Sequence, residues 1–234
     1  MRCRHIVPDT SEQAFDAQPR REWFTNELVS SAGRFVDIVT LLEGAGAPLG
    51  QLKTAIDVGC GPNKMRDVMK ERYPNIETVG FDQYPHEEHI RHLDLEHDRL
   101  PYADGEIDIA ICSHVLEHVD NFHGLSAELF RVARYVVILL PNPLLWPILA
   151  KVMLGKSILP IMGLPLGRPK DRHRWVYTVG EAVRWARHAA GKWDRALDVR
   201  YRVDWRLPTF MGRLRRDMFV LEVAFIFVPS DAKG

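Results

Sequence analysis

The sequence predicts an α/β fold: a doubly wound, mostly parallel sheet of seven strands with an antiparallel edge strand. Three observations predict it. Between residues 54 and 141, short β-rich apolar runs alternate with amphipathic helical segments. A glycine-lined turn joins the first of these runs to its helix, and two long β-rich runs close the chain.

Taken in order, residues 1–19 read as a polar arm. A helix is expected from about Arg21 to Leu42, where Trp23, Leu28, Phe35, Val39 and Leu42 recur at roughly helical spacing. EGAGAPLG (43–50) is a linker, so the chain divides into an N-terminal arm and helix (1–50) and a main domain (51–234). TAIDV (54–58) is a buried strand, GCGPN a turn and KMRDVMKERY (64–73) a helix. IETVGF (76–81), IRHLDL (90–95) and EIDIAICS (106–113) supply the next three strands. A helix over Phe122 to Arg134 leads into the fifth strand, YVVILLP (135–141). Residues 142–177 form an apolar and then basic insertion with a short helix at LLWPILAKVML. TVGE (178–181) is a capping box that opens a helix over 179–190. RALDVRYRVDW (195–205) and MFVLEVAFIFV (218–228) complete the sheet as a closing hairpin or paired edge strands.

Composition bounds the function classes. With 234 residues, 46% of them hydrophobic and 26% charged, the chain can bury a sizeable core and is neither disordered nor a disulfide mini-protein. The net charge of zero conceals a basic stretch, since residues 168–216 carry 14 basic residues against 5 acidic. Such a stretch suits phosphates, an anionic membrane or an acidic acceptor, and equally a solvated surface. Nucleic acid is disfavoured as a partner, because no recognition module accompanies it. Cys3, Cys60 and Cys112 are odd in number and lack CxxC spacing, which speaks against a disulfide framework and a cysteine zinc site. The N-terminal MRCRHIVPDTSEQ lacks the apolar core of a secretory leader. The most apolar run, Tyr135 to Ala150, is 16 uncharged residues with three prolines, short of the ~20 that span a bilayer. A cytoplasmic protein is expected, with peripheral membrane or lipid contact through 143–166 as the further expectation.

The chemistry concentrates at strand tips. Gly59 and Gly61 follow the first strand and let backbone approach a ligand closely, while Asp82 ends the second strand, where a carboxylate can accept two ribose hydroxyls. Lys64 stands where a third fingerprint glycine would be, which disfavours a dinucleotide. AIDVGCGPNK (55–64), VGFDQYP (79–85), HLDLEHDRLPYADGEIDIAICSHVLEHV (92–119) and VVILLPN (136–142) together resemble the successive motifs of class I S-adenosylmethionine-dependent methyltransferases of the type 11-like kind, whose sheet is Rossmann-like.

That resemblance implies S-adenosylmethionine as cofactor. It implies that Asp57, Gly59, Cys60 and Gly61 hold its amino-acid part, Asp82 and Gln83 its ribose, Asp94 and Leu95 its adenine, and Ser113 and His114 its methionine side. Because a sulfonium methyl is already electrophilic, the protein need mainly position the acceptor. His118 and His173 are the candidate proton acceptors; His114 and His118 would share a face if HVLEH were helical. His173, Arg174 and Trp175 of DRHRW are the candidate acceptor contacts, suited to a polar head on an apolar body.

The tetrapeptides DPPY and NPPY, which resemblance links to nitrogen methylation, are absent after the fourth strand, and no Pro-Cys pair offers a cytosine nucleophile. GLPLGRPKDRHRW resembles a bacterial subgroup associated with cell-envelope glycan synthesis, so O-methylation of a sugar, lipid-linked glycan or small molecule is expected. Two alternatives stand beside it. HVLEH also fits the HxxEH pattern of inverted zinc peptidases, and the chain could bind the cofactor without catalysis. No metal ligand set is assigned, and His86, His89, His92 and His97 are read as solvated because their spacing is irregular.

Overall fold

The computed structural model describes residues 22–25, 33–62, 64–85, 87–158, 172–203 and 207–230, with side chains of 22–25 and 33–37 left aside. The expected polar arm, His86 and residues 159–171 of the insertion lie outside them.

Among the described residues, one sheet runs in the order β1-β7-β8-β6-β5-β2-β3-β4. The strands are β1 (Glu22–Thr25), β2 (Thr54–Val58), β3 (Glu77–Asp82), β4 (Ile90–His92), β5 (Ile107–Ser113), β6 (Ala133–Pro141), β7 (Arg195–Val203) and β8 (Val220–Pro229). The helices are α1 (Gly33–Gly44), α2 (Lys64–Arg72), α3 (Phe122–Val132), α4 (Trp146–Met153), α5 (Val179–Lys192), α6 (Thr209–Leu214) and α7 (Arg216–Phe219). The seven expected strands are all present and mostly parallel. Two features differ from the expectation. β8 is antiparallel to both β6 and β7, so the reversed strand is an inner one, and the short β1 pairs parallel to β7 as an eighth strand at the edge. Over residues 22–25 the helix expected from Arg21 is replaced by strand, because they pair with Val199–Arg202, and the described helix is Gly33–Gly44.

Strand patterning explains the layers. In β6, Val136, Ile138 and Leu140 point to one face and Tyr135, Val137 and Leu139 to the other, all buried, as a sheet covered on both faces requires. The first face packs on Leu125, Leu129 and Phe130 of α3 and Ala182, Val183 and Ala186 of α5. The second packs on Ile38, Val39 and Leu42 of α1 and Met65 and Met69 of α2. The expected capping box is present: the Thr178 hydroxyl accepts from Glu181 N at 3.0 Å, while the Glu181 carboxylate accepts from Thr178 N at 2.7 Å.

The chain leaves β2 toward β3 and β4 on one side, then crosses to β5 on the other. That reversal opens a crevice at the carboxyl ends of β2 and β5, the place where ligands bind in open α/β sheets.

Candidate functional site

The glycine turn fills the β2 side of the crevice. Gly59 and Gly61 have φ of +72° and +53°, the left-handed region in which glycine carries no Cβ penalty. A Cβ on Gly59 would lie 2.2 Å from the Val115 side chain, so the turn and the segment after β5 touch through that missing atom. Gly59 N and Cys60 N both donate to Phe81 O, at 2.7 and 3.0 Å, which clamps the turn to the end of β3. The Asp82 carboxylate accepts from Gly61 N at 2.9 Å and from Tyr84 N at 2.8 Å. The two features read from the sequence as one cradle are thus directly bonded. Asp57 is buried beneath them, and burial first, then the charge of Asp82, raises its carboxyl to about 7.

Gln83 follows Asp82 in the turn leaving β3. Leu95 is buried as an apolar wall, but the Asp94 carboxylate turns into its own loop. It accepts from Glu96 N at 2.9 Å and lies 3.0 Å from His97 Nδ1; these bonds hold its pKa below the ordinary range.

Across the crevice, Ser113 ends β5 and His114 adopts φ of +58°, a left-handed conformation that is strained for a residue with a Cβ. The next residues form a 3₁₀ turn at Leu116–His118 rather than an α-helix, with His114 outside it. His114 and His118 therefore do not stack by helical periodicity as the sequence suggested. They converge on the wholly buried Glu117, with His114 Nδ1 3.8 Å and His118 Nε2 3.6 Å from Glu117 Oε1. His114 Nε2 meets Glu222 Oε2 at 2.8 Å, and Glu222 Oε1 meets Arg202 Nε at 2.9 Å. The zinc peptidase arrangement, which needs two histidines one α-helical turn apart, has no helix to stand on.

Residues 172–175 reach the same place. Arg174 N and Trp175 N donate to Glu117 O at 2.8 and 3.4 Å, and Trp175 Nε1 donates to Val119 O at 2.7 Å. Arg174 bonds Asp120 and lies 3.4 Å from Glu96, so it holds two loops together. His173 packs edge-on against His118, with ring centroids 4.8 Å apart. Phe122, Leu140, Trp175, Tyr177 and Trp185 line a pocket of about 250 Å³ beside this strap. Burial and the charge of Glu117 push the Tyr177 hydroxyl upward, and the same carboxylate, after burial, raises Cys112.

All named sequence candidates except Gln83, Asp94 and Leu95 lie in the glycine cradle or the opposing β5 segment and its strap. Tyr177, Arg202 and Glu222 were missed. Glu117 was visible only as the middle of HVLEH, and Glu222 is an isolated acid inside an apolar strand, itself the available signal. S-adenosylmethionine fits the groups present: an unsubstituted glycine turn for close approach, and a strand-end carboxylate beside it for ribose hydroxyls.

Together they define the class: a doubly wound α/β domain with a glycine turn and a strand-end carboxylate joined at its switch point. A family described as a methyltransferase domain matches residues 20–191, and the chain belongs to that family. Curated relatives named only as uncharacterized methyltransferases occur in Mycobacterium sp. (strain KMS), 33% identical over 90 residues, and in Mycolicibacterium gilvum (strain PYR-GCK), 33% identical over 92 residues. Each match covers 35% of this chain and 35% of the relative, so the similarity spans about a third of the curated proteins' length. In fold, the chain is similar to a SAM-dependent methyltransferase from Archaeoglobus fulgidus, with TM-score 0.51, 17% identity and coverage of 83% of this chain and 94% of that one. It is also similar to magnesium protoporphyrin IX methyltransferase from Synechocystis PCC 6803 with bound SAH, with TM-score 0.51, 15% identity and coverage of 86% and 90%.

Proposed function

We propose that the chain transfers a methyl group from S-adenosylmethionine to an oxygen of a sugar, lipid-linked glycan or small molecule. The observation that carries this reading is the direct bond between the Asp82 carboxylate and the glycine turn, opposite a histidine backed by a carboxylate. When bound, the cofactor supplies an electrophilic methyl on a positively charged sulfur. Asp57, Gly59, Cys60, Gly61, Asp82 and Gln83 hold it from the β2 and β3 side, Asp94 and Leu95 from the adenine side, and Ser113 and His114 beneath its methionine part.

Oxygen is the proposed acceptor atom because a hydroxyl must lose a proton and the β5 side is rich in groups to receive it. His114, held by Glu222, joins His118 and His173 as candidate bases; one positioned base is worth about 10²- to 10⁴-fold. Arg174 and Trp175 frame the acceptor, and the aromatic pocket takes its apolar body.

A lipid-linked acceptor is favoured by α4, none of whose residues is buried. Val152, Met153 and Leu154 are 54%, 87% and 68% exposed, beside exposed Lys151 and Lys156. No helix among the described residues is long and apolar enough to cross a membrane. The test is transfer of labelled methyl from S-adenosylmethionine to envelope extracts, sugars and small hydroxyl compounds. Label in an alkali-stable ether supports the reading, and cofactor binding without transfer to any acceptor would favour a non-catalytic binding protein.

A further inference from the structure

The carboxylate of Glu117 and the rings of His118 and His173 each offer one ligand atom, and these atoms lie within 4.8 Å of one another. Two donors on one first-row dication sit roughly 3 to 3.5 Å apart at metal–ligand distances of ~2.0–2.2 Å. Small rotations of the two half-buried histidines would close the set. Three features make this more than a chance meeting. Glu117 is wholly buried, the environment in which a carboxylate is stabilised by pairing or by a metal. The 172–178 segment is fixed over it by two backbone bonds to Glu117 O, so His173 is held there by the fold. Further acids are buried around the same segment: Glu222 Oε2 lies 2.8 Å from His114 Nε2, and the charges of both Glu117 and Asp57 reach the Cys112 thiol.

We propose that Glu117, His118 and His173 bind a divalent first-row transition cation, with the remaining coordination positions open to water or to an acceptor hydroxyl. Two imidazoles and one carboxylate favour Mn²⁺, Co²⁺ or Zn²⁺ over Mg²⁺, which takes oxygen donors. The ligand set is not the HxxEH pair: His114 stands outside it, facing Glu117 from one side and bonded to Glu222 on the other. This inference deepens the proposed function and rests on it for its chemical role. In that role His118 and His173 serve as ligands rather than bases, and the acceptor O–H, polarised by the cation, gives its proton to His114 or solvent. Its oxygen forms the new O–C bond as the C–S bond breaks, and the electron pair stays on sulfur.

The test is binding of Co²⁺ to chelator-treated full-length protein, without S-adenosylmethionine or acceptor, followed by visible absorption and competed by Zn²⁺ in calorimetry. One Co²⁺ per chain is expected. Glu117→Gln and His173→Ala should each weaken it at least about tenfold, while His114→Ala should retain it. Thermal melting and S-adenosylmethionine affinity report whether each variant is folded; a Glu117→Gln chain that fails to fold leaves His173→Ala to decide. Absence of Co²⁺ uptake, or uptake lost in His114→Ala but kept in His173→Ala, overturns the site. Co²⁺ binding without methyl transfer would sink the enzymatic reading alone, and methyl transfer by protein that takes up no Co²⁺ would sink the cation site alone.

Discussion

At the scale of single residues, Asp57 and Asp82 make distinguishable predictions although they are neighbours. Asp57 is held up to about 7, whereas an unfolded aspartate titrates near 4. Between about pH 4 and 7 the folded chain therefore binds the extra proton, and this group's contribution to stability falls as pH rises through that window. Asp57→Asn has no such proton. The stability difference between wild type and Asp57→Asn, measured by urea unfolding, should move against the wild type by up to a few kcal/mol from pH ~4 to ~7 and be flat above. A pH-independent difference would move the titration to another group. Asp82 faces the proposed ribose. Asp82→Ala should weaken S-adenosylmethionine by about 1.5 to 3 kcal/mol in calorimetry, because charge-assisted hydrogen bonds are lost. Unchanged affinity would remove Asp82 from the cofactor's contacts.

At the scale of elements, the strap over residues 172–178 is the piece whose sequence said least about its place. Arg174 pairs with Asp120 and Glu96, and the Glu96 carboxylate accepts from Asp120 N and Asn121 N at 3.0 Å each. Arg174→Ala should loosen the acceptor side, raising the acceptor KM several-fold while sparing cofactor affinity by calorimetry. A matching loss of cofactor affinity would show that the strap serves the whole crevice. The periodicities that located β2, β3, β5, β6, α3 and α5 worked because both faces of the sheet are covered and most interior strand positions are apolar. The glycine turn and Asp82 were readable because local backbone demands specify them. The start of the chain was misread as helix at 22–25 because strand or helix there depends on a partner, β7, 177 residues away in sequence (Glu22 opposite Val199). His114, Glu117 and His118 were noticed, but the left-handed turn at His114 replaced the helix that their spacing suggested. Glu222 finds its partner 108 residues away, a relation no local pattern carries.

At the scale of the whole molecule, the fold gathers its exposed apolar side chains on the rim that carries the site. β6 ends at Pro141 and leads directly to α4; β7 ends, and β8 begins, at the same end of the sheet, with α6 and α7 between them. Trp146, Val152, Met153 and Leu154 on or just after α4, and Phe210, Leu214 and Met218 on α6 and α7, are all exposed there. Lys151, Lys156, Arg213 and Arg215 are exposed among them. An apolar rim studded with cations suits an anionic bilayer surface, where each buried large side chain contributes about 1.5 to 3 kcal/mol and each cation about 1 kcal/mol. Full-length protein should therefore co-sediment with vesicles containing anionic lipid more than with neutral ones. Met153→Glu with Leu154→Glu should cut that association at least about tenfold, since the pair forfeits apolar burial and adds repulsion, yet leave the melting temperature unchanged because neither side chain packs in the core. Equal sedimentation of wild type and double variant would detach this rim from any membrane, and would turn the search for the acceptor toward freely diffusing sugars and small hydroxyl compounds.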